Sequence, residues 1–242
     1  MKKIIKFILI KISRIIYWII PEEFKRKNQN FRDSLKTLIE NKKTEKTYEV
    51  FHKHISSSLI FDDVWQIRNY AIKKSLEIED KKKKDLYYLE FGTWTGGTAN
   101  YFSKYVDKLY TFDSFEGLKE DWVGTKLSKT YFNLNKKIPN LASNVEIVNG
   151  WVEDTLDEFL KKEKPLIQFI HFDIDTYNST KFVLEKIKPF LNKNSILVFD
   201  QFYNYVGWEM GEYKAFMETF SDNEFNYKAF RITGRQVVIE IK

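Results

Sequence analysis

The run LEFGTWTGGT, residues 89–98, passes from apolar to glycine-rich within four positions, the pattern of a strand that ends in a tight turn and opens a helix. Such a turn presents backbone N–H groups and a helix N-terminus to an anionic group. Trp94 stands where a dinucleotide-binding loop needs its second glycine for the approach of a pyrophosphate, and no Gly-Lys-Ser/Thr follows as in a phosphate loop. A cofactor with a carboxylate and no phosphates tolerates that bulk better.

Outward from this turn, short apolar runs alternate with helical ones. Strands are expected at 86–91, 107–112, 144–149, 166–173, 195–200, 225–231 and 235–241, and helices at 96–106, 128–138, 153–162, 177–190 and 209–220. This alternation predicts an α/β fold: a mostly parallel seven-stranded sheet with helices on both faces and an antiparallel finish from the last two strands. In such sheets ligands bind beyond the carboxyl ends of the strands, so the residues after 91, 112, 173 and 200 are the ones to inspect. Asp113 follows Gly92 by 21 residues at the end of the second strand. It is placed either to accept ribose hydroxyls or to cap its own turn.

Upstream, residues 24–58 read as polar and helical, and 62–79 as an amphipathic helix with Val64, Trp65, Ile67, Ala71, Ile72, Leu76 and Ile78 as its apolar positions. Lys81 to Lys84 form a charge run, read as a solvated loop. The expected organisation is a basic amphipathic helix at 1–21, a helical arm at 22–84 and the α/β domain at 85–242.

Composition removes several function classes. The chain has 242 residues and no Cys, which excludes disulfides, a thiolate nucleophile, thiolate zinc sites and iron–sulfur clusters. Three His make a histidine-rich metal site improbable. The net charge of +6 is N-terminal: residues 1–50 hold 13 Lys and Arg against 6 Asp and Glu, and residues 51–242 hold 27 against 28. The body is therefore neutral, and no nucleic-acid partner is expected.

Within residues 1–20, Lys2, Lys3, Lys6, Lys11, Ser13 and Arg14 fall on one half of a helical wheel, and Ile4, Ile5, Ile8, Leu9, Ile12, Ile15, Ile16 and Ile19 fill the other. Tyr17 and Trp18 add interfacial aromatics and Pro21 closes the segment. The pattern points to a helix lying in an anionic membrane surface, placing the protein in the cytoplasm at the inner face of the membrane. Docking of this helix on protein is the competing reading. Lys11 and Arg14 interrupt the apolar run too often for a cleavable signal.

The runs LEFGTWTGGTANYF, YTFDSFEGLKEDW, FIHFDIDTYNSTKFVLEKIKPFL and ILVFDQFYNYVGWEMGEYKAF occur in this order over residues 86–242. Together they resemble class I S-adenosylmethionine-dependent methyltransferases, specifically the macrocin O-methyltransferase-like group that methylates sugar hydroxyls. The resemblance implies a Rossmann-like methyltransferase fold and S-adenosylmethionine as cofactor. It sets Glu90, Gly92 and Gly96 around the methionine moiety, Asp113 on the ribose, Ser114 and Phe115 beside the adenosine, and Gly150 and Trp151 near the adenine. Thr93, Trp94 and Asp173 complete the implied cofactor set. The implied acceptor is a sugar or cell-surface glycan; a nucleotide-linked sugar or a phenol, or a silent membrane-docked module, are the alternatives.

Asp173 and Asp175 are one residue apart at the end of the fourth strand, so an extended backbone would turn both to one face, with Asp200 at the neighbouring strand end. Hard oxygen ligands in a chain without Cys suit Mg²⁺. The competing structural roles are Asp175 as cap of the helix from 177 and Asp173 held by backbone N–H groups. By resemblance, Asp173 and Asp200 match metal positions and Asp175 the base. Gln201 stands where the family has a second acid; its carbonyl can still ligate, but the lost charge predicts weak metal dependence. His171 is read either as an alternative base or as a satisfied core histidine. His52 and His54 receive no role.

Overall fold

The computed structural model describes residues 11–13, 16–21, 35–77 and 86–242. Its two compact units are Met1–Glu45 and Lys46–Lys242. In the first, residues 11–13 and 16–19 are helical, and Ile12, Ile16, Trp18 and Ile19 are exposed. The rest of the expected basic wheel, residues 22–34 and the Lys81 to Lys84 run lie outside the described residues.

Helix α1 (Leu35–Ile55) contributes Phe51 to the second unit. This ring is fully buried, with Tyr203, Trp208 and Tyr213 at centroid distances of 5.3, 5.4 and 5.5 Å. Burying a phenylalanine stabilises by about 1.5–3 kcal/mol. Strand β1 (Leu59–Phe61) follows, then helix α2 (Val64–Ser75). Asp63 caps α2 by accepting from the N–H groups of Trp65 and Gln66 at 2.8 and 2.9 Å.

The rest of the unit comprises β2 (Leu86–Phe91), α3 (Gly97–Phe102), β3 (Leu109–Asp113), β4 (Val145–Asn149), α4 (Val152–Glu163), β5 (Leu166–Phe172), α5 (Tyr177–Ile187), β6 (Leu191–Phe199), α6 (Glu212–Thr219), β7 (Phe225–Arg231) and β8 (Val237–Ile241). The strand order is β1-β7-β8-β6-β5-β2-β3-β4. Only β8 runs antiparallel to its neighbours. The sheet thus has eight strands rather than the seven expected. The addition is β1, a three-residue edge strand with exposed Leu59 and Ile60, whose pairing to β7 is long-range and leaves no period-two pattern. With β1 and α2 packed on the sheet, the expected helical arm contributes directly to the α/β body.

Side-chain alternation along the central strands divides the core. Phe169 and Val198 join Ile67, Ala71 and Phe102 on one face, and Ile170, Phe172, Leu197 and Phe199 join Leu156, Leu184 and Phe216 on the other. The helix expected at 128–138 does not form. Asn135 and Lys136 take left-handed φ values of 53° and 62°, Asn133 Oδ1 accepts from Asn135 N–H at 2.6 Å, and the Phe115 carbonyl accepts from Leu134 and Lys136. Asparagine side chains there compete successfully with helical backbone bonding.

Candidate active site

The strand order reverses at β2, flanked by β3 and β5, and the site opens at the carboxyl ends of these strands. Backbone bonds continue past the strand ends: Asp173 N–H donates to Phe91 O, Gly92 N–H to Phe112 O and Asp200 N–H to Phe172 O, at 2.8, 2.9 and 3.0 Å. Gly92 has φ +92°, and a β carbon there would lie 1.9 Å from the Asp173 carbonyl oxygen. Only glycine permits this approach.

Beyond the strand ends lies an open cavity of about 710 Å³. Gly92, Trp94, Asp113, Ser114, Gly150 and Trp151 form one side of its lining, and Asp173 and Asp175 lie on the β5 side. The carboxylate of Asp113 is already engaged with backbone. One oxygen accepts from Thr93 and Trp94 N–H at 2.8 and 2.7 Å, and the other from Phe115 N–H at 2.7 Å. Asp113 therefore fixes the 92–94 turn to β3 while facing the cavity, and lone-pair capacity remains on it for a ligand hydroxyl.

Asp175 is nearly fully buried and takes φ +62°, strained for a residue with a β carbon. Its Oδ1 has no hydrogen-bond partner, and the N-cap of α5 is Thr176, without a side-chain cap. The capping role is thus not what holds Asp175. Burial, then the Asp173 and Asp200 carboxylates, keep its carboxyl well above the usual range. Asp175 also lines a second cavity of about 620 Å³, with Glu120, Trp122, Tyr177, Tyr205 and Met210. One carboxylate is shared by two cavities.

Residues 89–202 match the family model described as a methyltransferase domain. The match spans 114 of the 242 residues. No curated protein matches the chain by sequence. Among solved structures, the calicheamicin methyltransferase CalS11 is similar at 20% identity and a TM-score of 0.59, over 86% of this chain and 93% of that one. An apo structure of CalS11, described as a TDP-rhamnose 3′-O-methyltransferase, is similar at 18% identity and a TM-score of 0.52, over 86% and 95%. The O-methyltransferase NovP is similar at 15% identity and a TM-score of 0.51, over 73% and 80%. At these identities the likeness is one of fold, and that fold is Rossmann-like.

Several residues expected at the cofactor lie outside the cavity lining. Glu90 is fully buried, accepting from Thr111 Oγ1 at 2.9 Å and bonding His171 Nδ1 at 3.0 Å. Thr93 pairs with Thr111 through its hydroxyl, and Gly96 packs against Leu141 as the N-cap of α3. Phe115 is buried and acts through its backbone, holding the 134–136 turn. His171 is also fully buried, between Glu90 and Asp200, and does not reach the cavity as a base. Burial disfavours its charge, but hydrogen bonds with Asp200 and Glu90 raise its pKa to about 9.

Arg68, Gln236 and Glu212 were not singled out from sequence. Arg68 of α2 places Nη2 2.5 Å and Nε 3.2 Å from Asp200 Oδ1, and Gln236 Nε2 lies 3.0 Å from Asp200 Oδ2. Burial opposes ionisation of Asp200, yet His171 and Arg68 hold its carboxyl well below the usual range. Gln201 Nε2 donates to Asp173 Oδ1 at 2.9 Å. Burial and the nearby Asp200 push Asp173 up to about 7. Glu212 of α6 is fully buried and accepts from Gln201 N–H at 3.1 Å; burial and Asp175 keep its carboxyl well above the usual range. Arg68 was legible in principle, since it occupies the same helical stripe as Ile67, Ala71 and Ile72.

Among the described residues, His171, Asp173 and Asp200 bring ligand atoms within 4.8 Å of one another. These residues, with Gln201, do not fit a divalent metal. Asp200 Oδ1 is taken by a guanidinium and Oδ2 by an amide, and Gln201 turns its NH₂ rather than its carbonyl toward Asp173. The guanidinium and the amide donors already supply the positive partners that a hard cation would offer these oxygens, and the guanidinium would repel one.

Proposed function

We propose that this protein transfers a methyl group from S-adenosylmethionine to a hydroxyl of a sugar or cell-surface glycan. The observation that carries the reading is the position of Asp175, buried, unpartnered and common to the linings of two adjoining cavities. The cavity lined by Gly92, Asp113 and Trp151 suits the cofactor and the one lined by Trp122 and Tyr205 suits the acceptor. S-adenosylmethionine, when bound, would supply an electrophilic methyl on a sulfonium, whose carbon–sulfur bond breaks as the acceptor bond forms and leaves a neutral thioether.

Gly92, Trp94, Asp113, Ser114, Gly150 and Trp151 would hold the cofactor. Asp175 accepts the hydroxyl proton from the acceptor as its oxygen forms the new bond to carbon. A base held above the range of an ordinary aspartate suits this step, because it binds the proton more readily. Asp173, pinned by Gln201, holds its place beside the base, and walls on both sides restrict the reacting groups to an in-line approach. Trp122 and Tyr205 offer the apolar faces on which sugar rings pack.

Attachment to an anionic membrane surface through residues 1–20 is a separate part of the proposal. It is supported by the segregated basic and apolar wheel and by the exposure of Ile16, Trp18 and Ile19. No described helix is long and apolar enough to cross a membrane.

The deciding experiment incubates the full chain with methyl-labelled S-adenosylmethionine and a panel of envelope glycans, nucleotide sugars and catechols. Label in a glycan hydroxyl is the expected result. Label confined to catechols would replace the sugar reading with a phenolic one, and calorimetry without S-adenosylmethionine binding would overturn both.

A further inference from the structure

We infer that Arg68 is the built-in cation of this active site, standing on Asp200 where a divalent metal would otherwise bind, so that the methyl transfer needs no metal. The inference rests on the methyltransferase reading above and names how its acidic cluster is neutralised.

Four acids gather around this end of the sheet: Asp173, Asp175, Asp200 and Glu212. Asp175, Asp200 and Glu212 are buried and Asp173 is half-buried, and the four cannot all be charged without a compensating cation. The chain supplies two on Asp200: His171, whose Nε2 lies 3.4 Å from Oδ1, and Arg68, which makes the closer contact at 2.5 Å. Arg68 is 8% exposed, on the face of α2 that packs against the sheet, and its guanidinium meets Asp200 Oδ1 through both Nη2 and Nε. Gln236 closes the other oxygen of Asp200.

From there a chain of donors leads to the cavity. Gln201 Nε2 lies 3.5 Å from Asp200 Oδ2 and 2.9 Å from Asp173 Oδ1. Arg68 thus orients Asp200, Asp200 and Asp173 both accept from the Gln201 amide, and that amide fixes Asp173 in the cavity wall. Arg68 is a positioning residue, remote from the reacting atoms. A second acid at 201 could not donate this hydrogen bond, whereas a glutamine can. The Gln201 side chain and the Arg68 guanidinium are therefore two halves of one arrangement: an amide donor and a fixed charge in place of an acid pair and an ion. A dication entering here would have to displace the guanidinium and then sit beside it, against like-charge repulsion in a poorly screened setting.

The test titrates Mn²⁺ into the full-length protein and reads binding by electron paramagnetic resonance, with no turnover required. No stoichiometric binding in the millimolar range is expected. The Arg68→Gln variant frees Asp200 and should bind Mn²⁺ at least ~10-fold more tightly than the parent, since a repelling charge is gone. Arg68→Lys keeps the charge and should stay without Mn²⁺. Turnover should be insensitive to chelator in the parent.

Stoichiometric Mn²⁺ binding by the parent, or loss of turnover to chelator with recovery on Mg²⁺, would overturn the inference. Should Arg68→Gln not fold, the parent titration and Arg68→Lys still decide it. Absence of S-adenosylmethionine binding would instead strike the methyltransferase reading, leaving the Mn²⁺ result to stand alone.

Discussion

Gly92 and Asp173 meet where β2 and β5 end, at a separation that leaves no room for a side chain: a β carbon on residue 92 would stand 1.9 Å from the Asp173 carbonyl oxygen. The same glycine lines the cavity that Asp113 and Trp151 share. Gly92→Ala should therefore push the two strand ends apart and tilt the turn that Asp113 holds. A destabilisation of roughly 2 kcal/mol or more is expected, from the positive φ and the clash together. Thermal melting with calorimetry of S-adenosylmethionine binding checks it; an unchanged melt with unchanged affinity would show that the strand ends relax freely.

The base assignment predicts that Asp175→Asn keeps cofactor affinity while turnover falls by ~10²–10⁴-fold. The parent enzyme should lose kcat/KM as pH falls, because the base must be deprotonated. Since burial and Asp173 raise the Asp175 pKa, that ascending limb should lie above the range of an ordinary aspartate. A pH profile of Asp175→Asn that retains both rate and limb would remove Asp175 from the proton transfer.

His171 carries a stability prediction of definite sign. Its folded-state pKa is raised to about 9 from 6.5, so the protein binds this proton more tightly when folded. The stabilisation is fully present below about pH 6.5 and is lost as pH rises toward 9. Chemical denaturation at a series of pH values should show stability declining across that window in the parent and a flatter dependence in His171→Gln. An identical slope in both would place the titration elsewhere.

The N-terminal segment predicts salt-sensitive adsorption. Vesicles rich in anionic lipid should bind the full chain and release it at high ionic strength, because exposed charges more than about 8 Å apart are largely screened at physiological salt. Removing residues 1–20 should abolish binding and leave turnover on a soluble acceptor unchanged. Equal vesicle binding by the shortened chain would assign the adsorption to another surface.

Much of this architecture is local information. The run at 89–98 predicted a strand, a glycine turn and a helix, and β2 and α3 lie on either side of the Gly92 turn. Apolar runs marked β3, β5 and the second half of β6 because buried parallel strands are continuously hydrophobic. Asp113, Asp173 and Asp175 were legible as cavity residues because strand ends in such sheets face ligands. Edge strand β1 was not legible, since three half-exposed residues form a strand only when β7 is beside them. Residues 128–138 had helical spacing, but asparagine turns and the Phe115 carbonyl claimed their backbone.

The sequence by itself determined the order of elements, the acids at the strand ends and the concentration of basic charge at the N-terminus, since each is set by residue type and spacing along the chain. Only the tertiary structure decided which charges meet. Glu90, expected at the cofactor, and His171, read as a base or a core histidine, face each other inside the sheet, 81 positions apart. Arg68 reached Asp200 across 132 positions. A buried carboxylate takes its partner from whatever the fold packs against it, and spacing along the chain carries no record of that choice.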